Sequence, residues 1–259
     1  RMTLCVERLQ ADQVNLAFAP GESKPDSGPL QLPTLKLPLA IEVGEVRIGQ
    51  LRLDGNEQLS QLQLAAHWTV AGLQIDRLQL QRDDLHLSLQ GLLEPEGDWP
   101  LQVQGQLQLP KVDGQDWQLA LQVNGDLQKT LKVNADSSGY LNARLNGELQ
   151  ALAEQLPAKL QIRAAAFKPS ADLPDTLQLN NLELSATGNL KKGYKLLGSA
   201  SLAAKQEPVA LNLVGKVDAN GARLSALDLS ASPDQRLKLT ASADWQHGLS
   251  AEATLDWLD

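Results

Sequence analysis

Three histidines, one cysteine and a scatter of adjacent carboxylates are the residues of this 259-residue chain whose types could support catalysis or hold a metal. A transition-metal site needs several such side chains to converge, commonly as pairs a few residues apart in sequence. His67, His86 and His247 share no such spacing with one another or with Cys5. Each reads as a strand residue on a polar face or near a turn. Cys5 lies between Leu4 and Val6 and reads as a small buried hydrophobe; with no second cysteine it forms no internal disulfide. Asp83-Asp84 has the right type for general acid–base work, but it sits in a turn sequence with no enclosed cleft announced around it. There is no G-x-S-x-G, no phosphate-cradling glycine loop and no zinc pattern. The sequence supports neither catalysis nor a cofactor.

What the chain does carry is leucine at every second position. Leu78-Gln79-Leu80, Leu85-His86-Leu87-Ser88-Leu89, Leu107-Gln108-Leu109, Leu119-Ala120-Leu121-Gln122-Val123 and Leu237-Lys238-Leu239 are the clearest runs. Successive side chains on a strand point to opposite faces, so this period paves one face of a sheet with leucine and the other with polar groups. The apolar content is unusual in kind: 53 leucines against two Phe, two Tyr and one Met. Cores of β-sandwiches are built from β-branched and aromatic residues, so a leucine face hints at a partner other than a matching protein sheet.

Composition narrows the partners. A net charge of -8 and a pI near 5.0 argue against nucleic acid and against simple docking on an anionic membrane surface. No apolar run is long enough for a transmembrane helix, and Arg1 opens no basic-then-apolar leader. Both ends fall inside strand-like pattern, so the chain reads as an interior piece of something longer.

Turn chemistry interrupts the alternation at the spacing of antiparallel all-β structure. The breaks include Asp54-Gly55-Asn56, Arg82-Asp83-Asp84, Pro95 to Asp98, Asp113-Gly114-Gln115, Asn124-Gly125-Asp126, Asp136 to Gly139, Lys191-Lys192-Gly193 and Asp218 to Gly221. The best helical candidate, Glu148 to Gln155, stops at Leu156-Pro157 and predicts a turn or two at most. A spacing of apolar-x-x-apolar-x-apolar recurs at Val43-Val46-Ile48, Leu59-Leu62-Leu64, Ile75-Leu78-Leu80, Leu179-Leu182-Leu184 and Leu224-Leu227-Leu229. In a regular strand the first residue would face away; a β-bulge would bring all three to one side and bend the strand. Residues 17–29, dense in Pro, Gly, Ser and Asp, predict an exposed loop. Leu32-Pro33-Thr34-Leu35-Lys36-Leu37-Pro38-Leu39 then predicts an edge segment or an extended crossing, because proline cannot donate to a ladder. Trp68, Trp99, Trp117, Trp245 and Trp257 lie in strands or at their ends, suited to capping the rim of an apolar surface.

Those residues resemble a known family. Leu30 to Leu53, with the LPxLxLPL stretch followed by Ile41-x-Val43-x-x-Val46-x-Ile48-x-x-Leu51-x-Leu53, is similar to the TamB family of bacterial envelope proteins. So are Leu182-x-Leu184-x-x-x-Gly188-x-Leu190 running into Tyr194-x-Leu196, and Leu211 to Asp259 with Asp244-Trp245-Gln246 and Leu255-x-Trp257-Leu258. The resemblance implies a protein anchored in the inner membrane by an amino-terminal helix outside this chain, crossing the periplasm as a rolled β-sheet. Its apolar groove would carry phospholipid toward the outer membrane, and an outer-membrane barrel partner, TamA, is implied as well. No catalytic residue is carried over.

Taken together, residues 1–259 are expected to be one continuous all-β sheet fragment, long, mainly antiparallel, twisted and rolled. About 18 to 20 strands would extend roughly 90 Å, and a sheet that long must curl. The groove lining would come from Val46, Ile48, Leu62, Leu64, Leu78 and Leu80, then Leu85, Leu87, Leu89, Leu107 and Leu109. Leu119, Leu121 and Val123 continue it, as do Leu182, Leu184, Leu227, Leu229, Leu237 and Leu239. Two other readings stand beside the lipid conduit: a scaffold that assembles outer-membrane proteins by strand addition, and a closed sandwich or solenoid.

Overall fold

The computed structural model of the chain describes residues 3–16, 32–35, 40–53, 56–69, 71–203, 208–232, 235–245 and 250–258. Two compact units divide it: residues 1–135 with 150–154, and residues 136–149 with 155–259. The first contains β1 (Thr3–Leu16), β2 (Ala40–Leu53), β3 (Asn56–Leu59), β4 (Gln61–Thr69), β5 (Gly72–Arg82), β6 (Leu85–Leu93), β7 (Pro100–Val112) and β8 (Gln115–Asp126). β9 (Leu131–Gly139) spans the boundary. The second contains β10 (Ala143–Leu149), β11 (Ala158–Phe167), β12 (Leu179–Asn189), β13 (Gly193–Leu202), β14 (Val209–Val217), β15 (Gly221–Ser232), β16 (Gln235–Asp244) and β17 (Ser250–Leu258). A single 3-10 turn, Asp175–Leu177, is the only helical element among the described residues. The chain is all-β and mainly antiparallel, as its alternation predicts.

In the first unit β2, β4, β5, β6, β7 and β8 pair in sequence order, each antiparallel to the next. β3 is the short bulged lead-in to β4, pairing with the end of β2. In the second unit β10 to β17 pair in order the same way. β1 is the exception, lying parallel to β2 with Val6 opposite Val43 and Ala11 opposite Ile48. A parallel return needs a long connection. The chain supplies it in residues 17–39, of which the expected loop at 17–29 and the 36–39 part of the LPxLxLPL stretch lie outside the described residues.

The hairpins follow the turn chemistry. Arg82 pairs with Leu85 and Val112 with Gln115, each around a two-residue loop. Asp113 and Gly114 adopt φ of 50° and 72°, the left-handed pair that matches the twist of flanking strands. Two turn expectations fail. Asn124-Gly125-Asp126 still belongs to β8, and Asp136 to Gly139 still belongs to β9. The first of these strands continues because its turn is made two residues later, where Leu127 and Gln128 donate their backbone N–H groups to the carbonyls of Trp99 and Asp98. At the second, Asn142 caps Gly139 instead, its Oδ1 accepting the Gly139 N–H at 3.2 Å. Glu148 to Gln155 forms no helix: β10 runs to Leu149 and turns follow.

Bulges sit at four of the five places where the recurring apolar spacing needs them; at Leu59-Leu62-Leu64 the strand is instead interrupted at Ser60, between β3 and β4. Register shifts fall between Val43 and Val46, between Ile75 and Leu78, between Asn180 and Glu183, and between Leu224 and Leu227. In β5, Ala66 faces Ile75, Ala65 faces Arg77 and Leu64 faces Leu78, so Asp76 is the extra residue. It keeps Ile75, Leu78 and Leu80 on one face and adds a bend.

Candidate functional site

The leucines assemble into rows running across the strands. Val46, Leu64, Leu78, Leu89, Gly105 and Leu121 stand successively opposite one another, and Ile48, Leu62, Leu80, Leu87, Leu107 and Leu119 form the next row. Val123 faces Val103, Leu109 faces Trp117, and Leu85 ends its strand at the hairpin opposite Arg82. In the second unit Leu184 faces Ile162 and Gly198, while Leu182 faces Ala164. Leu227 lies between Leu213 and Leu239, and Leu229 between Leu211 and Leu237. Sequence reasoning left out Leu211 and Leu213, although Leu211-Asn212-Leu213 carries the same alternation. It also left out Ile75, Leu145 and Ile162 on these faces.

None of the twenty positions expected to line the groove is buried and none is exposed; each is partly covered. Among the described residues the buried apolar side chains are Ala66, Pro95, Trp99, Leu131, Ala135 and Ala164, and none is below 2 % exposure. A sandwich core would bury such leucines almost completely. Here every one of them stays between buried and exposed.

Glycines break the rows at intervals, and they have a steric reason. A Cβ on Gly105 would overlap Leu89 Cδ2 and the Ser88 carbonyl, so Leu89 lies flat across the glycine. At Gly198 the fit is looser: a Cβ would meet Leu184 Cδ1 and Leu213 Cβ at 3.3 Å. Each glycine leaves room for the leucine beside it.

Among the described residues, three ionic groups have shifted pKa values. Lys111 is held above its ordinary pKa by its hydrogen bond to Asp116, and Lys129 by its hydrogen bond to Asp98. Asp218 lies below the usual carboxylate range because its side chain accepts the Asn220 backbone N–H, with Lys216 adding to the effect. All three sit at or beside strand-end turns. His67 and Asp76 meet at 2.9 Å on the polar face, and His86 is exposed opposite Gln81 and Gln108. His247 lies outside the described residues. No three His, Cys, Asp or Glu side chains converge as a metal site among the described residues. Cys5 is exposed, not buried as its apolar neighbours suggest, because it stands opposite Glu42 on the polar face. Trp68 and Trp117 lie near strand ends, Trp99 is buried under the loop at 94–99, and Trp245 is 48% exposed. Trp257 stands in register opposite Leu237. Leu32 to Leu35 lies extended across strand ends, its Leu35 N–H donating to the Pro95 carbonyl at 2.9 Å and its Leu32 carbonyl accepting from Gln128 Nε2.

A family model described as TamB, N-terminal domain, matches residues 21–259, nearly the whole chain. The chain belongs to the TamB family. It is also 27% identical over 196 residues to the translocation and assembly module subunit TamB of Haemophilus influenzae. That match takes in 71% of this chain and 15% of the relative, so the chain spans a small part of a TamB protein's length. No solved structure matches it. TamB membership makes the chain a bacterial-envelope component, and no helix among the described residues is long and apolar enough to cross a membrane.

Proposed function

We propose that this TamB segment is a non-enzymatic section of a periplasmic conduit that shields phospholipid acyl chains between the inner and outer membranes. The observation that supports it is the leucine face of each unit, in register from strand to strand and left only partly covered. Each acyl methylene removed from water is worth about 0.8 kcal/mol, so two tails lying on such a face recover much of what they lose on leaving a bilayer. The polar head group stays at the open side. The twenty positions named from the alternation are the lining, each unit carrying its own section. An anchor in the inner membrane and a barrel partner at the outer membrane would complete the proposed assembly.

A second reading has its own observation. β1 pairs with β2 on one side, no strand is registered against its other edge among the described residues, and its Leu4 and Leu9 are 54% and 55% exposed. Such an edge can accept an incoming strand through main-chain hydrogen bonds. Photo-crosslinking in cells separates the two. A benzophenone side chain at Leu107 or Leu213 is expected to trap phospholipid, and one at Gln10 on β1 is expected to trap little. Polypeptide adducts concentrated at Gln10, with none of lipid at the leucines, would favour strand addition and count against the conduit.

A further inference from the structure

The opposite face of the first unit is as unusual as its leucine face. Gln90, Gln104 and Gln122 stand directly opposite one another on β6, β7 and β8. Beside them runs a second row, Gln74, Leu92, Gln102 and Asn124. The two rows line a shallow depression of about 580 Å³, within the range of small-ligand sites. No charged side chain lines it, although 21% of the chain's residues are charged. Among the described residues none of the six carboxamides is hydrogen-bonded to another protein group.

We propose that this depression binds a neutral, hydroxyl-rich oligosaccharide. A carboxamide offers both donor and acceptor, and so does a sugar hydroxyl, so the two chemistries match without any charge. An ionic ligand would leave water here with no counter-charge to meet it. The strands lie about 4.8 Å apart, close to the length of one pyranose ring, so a linear glycan along the row meets one glutamine per sugar. Leu92 gives the apolar side of a ring a surface to rest on. An extended polypeptide would instead seek a free strand edge, and this is a face. The inference is independent of the lipid reading, because it uses the other side of the sheet.

The test is calorimetric titration of the full-length protein with cellohexaose and hexa-N-acetylchitohexaose, both neutral, against hexagalacturonate and an extended polar peptide. One of the neutral sugars is expected to bind with a Kd on the order of 1 mM. Gln104→Leu combined with Gln122→Leu should weaken it at least about tenfold, while Asn212→Leu on the polar face of the second unit should not change it. Should the leucine pair aggregate, Gln104→Glu with Gln122→Glu keeps the shape and hydration, and the same loss is expected. Absence of binding by both neutral sugars, binding unchanged in the variants, or preference for the acidic sugar or the peptide would overturn the proposal.

Discussion

Replacing Leu121 with arginine should weaken phospholipid retention by the full-length protein about a hundredfold, and Leu239→Arg should do the same. Both side chains stand in the apolar rows, Leu121 opposite Gly105 and Leu239 opposite Leu227. An arginine surrounded by hydrocarbon costs about 2.5–3.5 kcal/mol, and each 1.4 kcal/mol is a factor of ten. Gln118→Arg and Lys238→Glu place their charges on the exposed face of the same strands, where water solvates them. These two should leave retention within about twofold, since surface charges away from partners shift energies by only a few tenths of a kcal/mol. The readout is phospholipid extracted per mole of purified protein. Equal losses at inward and outward positions would mean that the leucine face is not where lipid lies.

Deleting single residues from β5 should separate bend from facing. Removing Asp76 takes out the extra residue of the bulge, yet Ile75, Leu78 and Leu80 still share one face. Its contact with His67 joins side chains 38% and 50% exposed, a pair worth little. Removing Gln79 turns Leu80 to the polar face or slips every pairing beyond it. The expected cost of the Gln79 deletion is about 2 kcal/mol more than that of the Asp76 deletion, the worth of one leucine moved into water. Urea midpoints of the two variants measure it. A Gln79 deletion no more harmful than the Asp76 deletion would mean the alternation does not hold the strand in register.

These two deletions also mark what the sequence could and could not reveal. Facing was legible because the period of two is local: Leu85, Leu87 and Leu89 need only their own strand to declare their side. The bulges were legible from the three-then-two spacing, as at Ile75, Leu78 and Leu80, since no regular strand puts all three on one face. The end of β8 was not, because Asn124-Gly125-Asp126 has turn composition and only the distant Trp99 and Asp98 carbonyls move the turn onward. The parallel pairing of β1 was hidden for a similar reason. Its alternation is indifferent to direction, and the one clue was the long Pro- and Gly-rich connection at 17–39. The buried reading of Cys5 runs against the local rule itself: the residue alternates with Leu4 and Val6, so the period of two puts it on the other face, opposite Glu42. The glycine gaps in the rows escaped notice because alternation alone attends to leucines, whereas a floor is shaped equally by Gly105 and Gly198, where side chains are missing.

The most direct test is native mass spectrometry of the full-length protein, released from cells in a detergent whose mass is distinguishable from lipid. A conduit predicts adducts in diacyl-phospholipid increments that diminish in Leu121→Arg. Lipid-free protein alone, with the leucine faces found packed against one another, would contradict it.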